Sequence, residues 1–200
     1  MKKVILGATG SIGSSLAKKL VDSGEQVHLV GRDEGSLSEL ANELNSTFTT
    51  CDVLEENFSE KIINDLKDEQ VNGLAYCVGS IDLKPLKLTK KSDFMQSFNL
   101  NLVSATEIIK SLADNLKASK GSIVLFSTVA VQQGFPNHAI VSSAKGAVEG
   151  LTLALAAEYA PNIRVNCIAP SLTNSKISNF LLKNEKLSLI HISEPTRHRL

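Results

Sequence analysis

Three glycines near the start of the chain have the spacing of a phosphate-binding turn. They follow the apolar residues 4–6 and lead into a stretch whose apolar residues recur at helical spacing. Glycine at such positions permits a tight turn and a close approach of the backbone to a pyrophosphate, and the amino end of a helix attracts phosphate. The sequence therefore predicts a dinucleotide site whose diphosphate is bound by Gly7, Thr9, Gly10, Ser11, Ile12 and Gly13.

A second signal for the same ligand follows the next apolar run, residues 27–30. NAD sites usually place a ribose-binding acid at the end of this strand, whereas this chain has Gly31 followed by Arg32. A cation here suits the 2′-phosphate of NADP, so NADP is favoured over NAD. The alternative is that Arg32 is a solvated loop charge, because Asp33 follows it immediately.

Both signals require a parallel sheet that carries helices on both faces. Apolar runs of strand length alternate with amphipathic stretches of helix length, which is the pattern of βαβ units in an α/β protein. The predicted strands are 4–6, 27–30, 48–51, 71–77, 122–126 and 163–168. The predicted helices are 11–22, 34–44, 55–67, 92–117 and 137–159.

Together with the glycines, further motifs resemble the short-chain dehydrogenase/reductase family over nearly all of residues 3–183. Residues 76–79 (Tyr-Cys-Val-Gly) stand where an Asn-Asn-Ala-Gly motif is usual, and residues 164–171 resemble the family's stretch that ends in Pro-Gly. The glycine spacing resembles the extended branch of the family, and the rest resembles the compact single-domain branch. The resemblance implies a doubly wound parallel sheet (Rossmann-like) with strand order 3-2-1-4-5-6.

The resemblance also implies an activity and its residues. The reaction is hydride transfer between a nicotinamide cofactor and a small carbonyl or alcohol. The predicted cofactor-binding residues beyond the glycine turn are Arg32, Asp52, Val53, Gly79, Lys145 and Pro170. Asn101 matches the family's helix asparagine, which holds a proton-relay water, and Thr128, next to Ser127, falls on the catalytic serine.

The family's Tyr-x-x-x-Lys pair is incomplete in this chain. Residues 141–145 read Val-Ser-Ser-Ala-Lys, so Lys145 is present and Val141 replaces the tyrosine. The spacing of four residues would place the two side chains on one face of a helix. The hydroxyl of Thr128 can still bond a substrate oxygen, but the usual proton donor is missing.

Three explanations for the missing donor remain open. His138 lies one turn before Val141 and could be the acid if the helix has begun by then. An ordered water could instead donate through Thr128 and Lys145. Alternatively, catalysis has been lost, and the chain is an inactive NADP-binding regulatory or structural protein.

Asn101 could equally be a buried amide bonded to backbone, and Thr128 a turn cap. An extended-type epimerase or lyase, suggested only by the glycine spacing, is disfavoured because that branch needs the same tyrosine.

Composition excludes several other classes of function. Lys+Arg and Asp+Glu both number 21, so the chain has no net positive charge that would attract nucleic acid. The three cysteines are widely spaced, which predicts reduced thiols in a cytoplasmic protein and no metal site. The apolar run after Lys3 stops at Gly7, and residues 151–157 are too short to span a membrane. The expected partners are a small-molecule substrate and further copies of the chain in a dimer or tetramer.

The last residues have a different character. Residues 187–200 are polar and patternless, and they resemble a translated transposase-type sequencing adapter. The sequence therefore predicts a dinucleotide-binding domain over 1–186, a non-native tail over 187–200, and truncation of the C-terminal strand and helices usual in the family. A substrate lid would begin around residues 173–183.

Overall fold

The computed structural model describes residues 1–171 and 173. Six parallel strands form one sheet in the order β3-β2-β1-β4-β5-β6, which confirms the predicted doubly wound topology. The strands are β1 (Lys2–Leu6), β2 (Gln26–Gly31), β3 (Thr47–Thr50), β4 (Val71–Tyr76), β5 (Ser122–Phe126) and β6 (Arg164–Ile168). The predictions about the C-terminal strand, the lid beyond residue 173 and the tail fall outside the described residues.

The helices follow the predicted order but not all of the predicted bounds. They are α1 (Ser11–Asp22), α2 (Glu34–Glu43), α3 (Phe58–Leu66), α4 (Lys91–Phe98), α5 (Ser104–Ala118), α6 (Ala130–Gln133) and α7 (Ala139–Tyr159). The helix predicted over 92–117 is interrupted by a π-helical turn, Asn99–Val103, between α4 and α5. The short α6 was not predicted, and α7 begins two residues later than expected because residue 138 is its N-cap.

Alternate residues of the central strands build two cores, one on each face of the sheet. In β1, Val4 and Leu6 lie in a core with α3, α5 and α7, whereas Ile5 lies in a second core with α1 and α2. All three side chains are fully buried. Successive side chains of a strand point to opposite faces, so helices on both faces explain why these strands show no polar alternation.

Helix α7 meets the length and composition criteria of a membrane span, with a mean hydropathy of 1.3 over its most apolar window. The sequence interpretation considered only residues 151–157 and missed this. A core helix of a globular protein passes the same test, and Ile140, Ala144 and Val148 of α7 are buried. Length and composition are therefore weak grounds for a span here.

A chain of hydrogen bonds crosses the amino-terminal side of the sheet. Lys2 Nζ donates to Thr47 Oγ1 (3.0 Å), and the hydroxyl of Thr49 donates to Asp65 Oδ2 (2.6 Å). Since the one proton of Thr49 is used, its oxygen accepts from Nε2 of His28 (2.9 Å). Nδ1 of His28 then accepts the hydroxyl of Thr47 (2.8 Å). Every bond is satisfied only when His28 is neutral.

We expect this chain to make folding sensitive to acid. Burial, and secondarily Lys2, lowers the pKa of His28 from 6.5 to about 4. The folded protein then binds fewer protons than the unfolded chain, so stability is lost as the pH falls from 6.5 towards 4, by about 3 kcal/mol in all. Urea unfolding at pH 7 and pH 4.5 should show a smaller loss in His28→Gln than in the wild type. Equal losses in the two proteins would contradict the prediction.

Candidate active site

The glycine turn joins β1 to α1 and leaves the amino end of the helix open. Gly7 has φ +72°, and a Cβ there would lie 2.9 Å from the carbonyl carbon and oxygen of Cys77. A Cβ at Gly13 would overlap the carbonyl oxygen of Gly7. Gly10 is the N-cap of α1 and supplies no side-chain cap, so the first N–H groups of the helix stay available to an anion.

The end of β2 presents a cation and no free acid. Gly31 is buried, and a Cβ there would lie 3.4 Å from Leu37 Cδ1 and 3.7 Å from Thr9 Oγ1. Asp33 is the N-cap of α2, where its Oδ1 accepts from the backbone N–H of Ser36 (2.9 Å). The side-chain hydrogen bond of Ser36, and secondarily this backbone bond, lower the pKa of Asp33. Arg32 is exposed and forms no ion pair within residues 1–171 and 173.

The segment after β3 is held in place next to β2. The Cys51 N–H donates to the carbonyl of Gly31 (3.0 Å), and Asp52 Oδ1 accepts from the Leu54 N–H (3.0 Å). Val53 is buried, and its carbonyl accepts from Ser104 Oγ (2.7 Å) at the start of α5. Asp52 and Val53 therefore lie at the carboxyl edge of the sheet, where the adenine end of a dinucleotide is expected.

Three of the predicted site residues meet beyond the end of β4. A Cβ at Gly79 would lie 3.1 Å from Asn101 Oδ1 and 3.3 Å from Lys145 Nζ. These residues come from the segment after β4, the π-turn and α7, which are far apart in the chain. Gly79 is the one residue of the Asn-Asn-Ala-Gly motif that the chain retains. Its lack of a side chain leaves room for Asn101 Oδ1 and Lys145 Nζ.

The π-turn sets the position of Asn101. Asn101 is 1% exposed, and its Nδ2 donates to the carbonyl of Ser97 (2.8 Å), whereas its Oδ1 is buried without a hydrogen-bond partner in the described part of the chain. Tyr76 donates its hydroxyl to the carbonyl of Leu100 (2.7 Å), and Ser104 Oγ, whose proton goes to the carbonyl of Val53, lies 2.9 Å from the carbonyl oxygen of Asn99. The sequence left open the alternative that Asn101 is a buried amide bonded to backbone. This is true of its Nδ2 and not of its Oδ1. The sequence reasoning missed Ser97 and named Tyr76 only as part of the motif at residues 76–79.

Lys145 is a buried amine on α7. It is 8% exposed, and within the residues described its Nζ forms no hydrogen bond or ion pair. Burial lowers its pKa to about 8, against smaller opposite effects of Cys167 and Cys77. Val141, one turn earlier on α7, is 5% exposed and provides only an apolar surface.

Thr128 and Ser127 follow the end of β5 and have different environments. Thr128 Oγ1 accepts from the N–H of Ala130 (3.3 Å), as the turn-cap alternative expects, but an accepted bond leaves its proton free to be donated. The neighbouring Ser127 is 5% exposed, and its hydroxyl donates to Glu149 Oε1 (2.5 Å). Glu149 lies one turn after Lys145 on α7 and was not singled out in the sequence.

His138 and Pro170 belong to the loops beside this site. Because α7 begins at Ala139, the condition under which His138 would share a helical face with Lys145 is not met. Its Nδ1 donates to the carbonyl of Pro136 (2.8 Å), and its ring packs edge-on against Phe135. The carbonyl of Pro170 accepts from the Val129 N–H (3.1 Å), which ties the end of β6 to the segment after β5.

Comparison with known proteins places this geometry in a family. A family model described as enoyl-(acyl carrier protein) reductase matches residues 7–198, which include the glycine turn, Gly79, Asn101 and Lys145. The chain belongs to the short-chain dehydrogenase/reductase family. Proteins of this short-chain dehydrogenase/reductase family are NAD(P)-dependent oxidoreductases of small molecules. The matched residues run past 186, and the assignment of 187–200 as non-native stays a prediction.

Individual relatives agree with this assignment. The chain is 33% identical over 172 residues to L-fucose dehydrogenase of Oryctolagus cuniculus, which covers 84% of the chain and 61% of that protein. It is 33% identical over 197 residues to a tropinone reductase homolog of Arabidopsis thaliana, which covers 94% of the chain and 75% of the relative. The closed form of a serine dehydrogenase complexed with NADP+ has the same fold, with a TM-score of 0.85, 20% identity, and coverage of 97% and 82%.

Proposed function

We propose that this chain is an NADP(H)-dependent oxidoreductase that transfers hydride between the nicotinamide and a small carbonyl or alcohol. The observation that carries the proposal is the meeting of Asn101 Oδ1 and Lys145 Nζ over Gly79. Gly79 follows β4, the neighbour of β1, so this pair lies beside the glycine turn at the carboxyl ends of adjacent strands. Doubly wound sheets bind dinucleotides in that crevice.

Each residue has a place along the bound dinucleotide. The glycine turn and the open end of α1 hold the diphosphate, Arg32 holds the 2′-phosphate, and Asp52 and Val53 contact the adenine end. Pro170 borders the nicotinamide end. When bound, the nicotinamide supplies the hydride. The chain's part is to position the carbonyl carbon of the substrate through Lys145 and Asn101, and to bond the carbonyl oxygen through the hydroxyl of Thr128.

We expect Arg32 to determine the preference for NADP. Removing its guanidinium in Arg32→Ala should raise the Kd for NADPH by about 10- to 100-fold, the effect of one or two charge-assisted bonds, and should change the Kd for NADH less than about threefold. Fluorescence titration of both cofactors measures the ratio. Arg164→Ala removes an exposed arginine from the start of β6 and serves as the matched control. Equal effects of Arg32→Ala on both cofactors would refute the assignment.

The proposed function has a direct test. The chain, extended by a native C-terminal segment if its gene encodes one, is titrated with NADPH and NADH and then assayed for NADPH oxidation across a panel of small aldehydes and ketones. Micromolar NADPH binding with turnover of at least one carbonyl is expected. Absence of any complex would overturn both the cofactor and the reaction.

A second candidate is an NADP-binding regulatory or structural protein without activity. The observation that favours it is Val141, whose side chain has no proton to donate where the family has tyrosine. NADPH binding without turnover of any carbonyl would support this second function.

We also infer that the protein is cytoplasmic and forms a dimer or tetramer. On α7, Leu153 is 74% exposed, and Ala154 and Ala157 beside it on the helix are exposed as well. A second copy of the chain would cover this apolar face. Sedimentation of the purified protein measures the oligomeric state.

A further inference from the structure

The reducing direction needs a proton at the substrate oxygen, and few groups at this site carry one. Val141 is apolar and buried, and Asn101 presents an oxygen, which only accepts. Thr128 has a hydroxyl whose ordinary proton affinity makes it a bond donor rather than an acid. Next to Gly79, the titratable group is the amine of Lys145, whose Nζ would lie 3.3 Å from a Cβ at Gly79.

The surroundings of Lys145 leave its charge uncompensated. The titratable groups that face it are the thiols of Cys77, after β4, and Cys167, in β6. Burial raises the pKa of Cys77 to about 12 and raises that of Cys167 as well, so both thiols are neutral at pH 7. No carboxylate pairs with Nζ in the part of the chain that is described. A buried cation without a partner loses its proton readily.

We propose that Lys145 itself donates the proton to the substrate oxygen, in place of the tyrosine that the family has at position 141. The proposal deepens the proposed function and rests on it. In the water-mediated alternative, Lys145 only polarises a water that donates the proton. In a second alternative, Lys145 stays a fixed cation that only binds the cofactor ribose. The proposal differs from both.

The step balances as follows. With NADPH bound, the carbonyl carbon would receive the hydride that the nicotinamide supplies, and the π electron pair of the carbonyl would move to oxygen. The Nζ–H bond of Lys145 breaks with its electron pair left on nitrogen, and the proton forms the O–H bond of the alcohol. The neutral amine then regains a proton from solvent, and the unpartnered Oδ1 of Asn101 offers an acceptor for the water that delivers it.

The first test separates a proton donor from a fixed cation. Lys145→Arg keeps the charge and the N–H donors, but a guanidinium does not release a proton. We expect NADPH to bind within about threefold of the wild-type Kd, and kcat for carbonyl reduction to fall by about 100-fold or more. Lys110→Arg makes the same change on the exposed face of α5 and should leave kcat unchanged. A folded Lys145→Arg protein with wild-type kcat would overturn the inference and leave the proposed function intact.

The second test follows the titration of Lys145 and does not depend on the arginine variant. The protein is labelled with 15N-lysine and studied by NMR without cofactor. The signal that is missing from the Lys145→Met variant is assigned to Lys145. The midpoint of its pH titration should lie near 8 rather than at the ordinary lysine value of about 10.4. The acid must be protonated, so kcat/KM for reduction, which reports the pKa of the free enzyme, should be flat below this midpoint and fall tenfold per pH unit above it. A midpoint above 10, or a kcat/KM with no alkaline limb, would overturn the inference. A wild-type protein that binds NADPH and reduces nothing would overturn the proposed function as well.

Discussion

Replacing Val141 with tyrosine should raise kcat for NADPH-dependent carbonyl reduction by up to about 100-fold, the lower end of a positioned acid's usual contribution, because Lys145 already donates a proton in the wild type. Position 141 lies one turn before Lys145 on α7, so a phenol there shares a helical face with the ammonium group. The nearby positive charge favours phenolate and lowers the pKa of the phenol towards neutrality. Lys145 would then act through the phenol, and the alkaline limb of kcat would follow the tyrosine.

The control for this gain is Val141→Phe, which adds the ring without the hydroxyl. Val141 is 5% exposed, so both rings are expected to cost about 1–3 kcal/mol of stability through overpacking. Steady-state kinetics at several pH values, with Tm measured for each protein, separates chemistry from folding. A folded Val141→Tyr protein no faster than Val141→Phe would show that this face of α7 does not point at the reacting oxygen.

Replacing Gly13 with alanine should abolish NADPH binding and lower the free energy of unfolding by about 3 kcal/mol or more. The added methyl group would overlap the carbonyl oxygen of Gly7 and lie 2.9 Å from the Cα of Ala8. Both neighbours are backbone atoms of the turn itself, so no side-chain rotation relieves the overlap. The turn must open, which displaces the N–H groups that would hold the diphosphate.

Gly150→Ala is the matched control for this change. Gly150 lies in α7, and a Cβ there meets nothing within 4 Å, so alanine should stabilise the helix by about 1 kcal/mol and leave NADPH binding unchanged. Chemical denaturation and NADPH titration are measured for both variants. If Gly13→Ala binds NADPH with the wild-type Kd, the glycine turn does not hold the cofactor.

Features that depend on neighbours in the chain were predicted well. The bounds of α1 and β5 agree with the prediction to the residue, because glycine signals and apolar runs report local structure. The sheet order was also predicted, since the resemblance rested on the order of the motifs. The predictions at Gly79, Asn101 and Lys145 named residues that the fold brings together, although their roles await the experiments above.

Features that depend on remote packing were not predicted. The π-turn was not anticipated, because it is fixed by Tyr76 from β4 and by Ser104, whose contacts a helical pattern does not reveal. Glu149 was overlooked because an acid on a helix is usually solvated, whereas here it accepts the hydroxyl of Ser127. The hydrogen-bonded chain through His28 likewise joins β1, β2, β3 and α3, and no local pattern indicated it.

By itself, the sequence determined which chemical groups are available: an open glycine turn, an arginine after the second strand, a lysine and a valine four residues apart. Only the tertiary structure decided how those groups behave. Lys145 is an ordinary ammonium group in the sequence, and its pKa is lowered because it is buried beside Cys77, Cys167 and Asn101, with no counter-charge among the described residues. Desolvation depends on the packing of segments distant in the chain, and the spacing of residues carries no record of it.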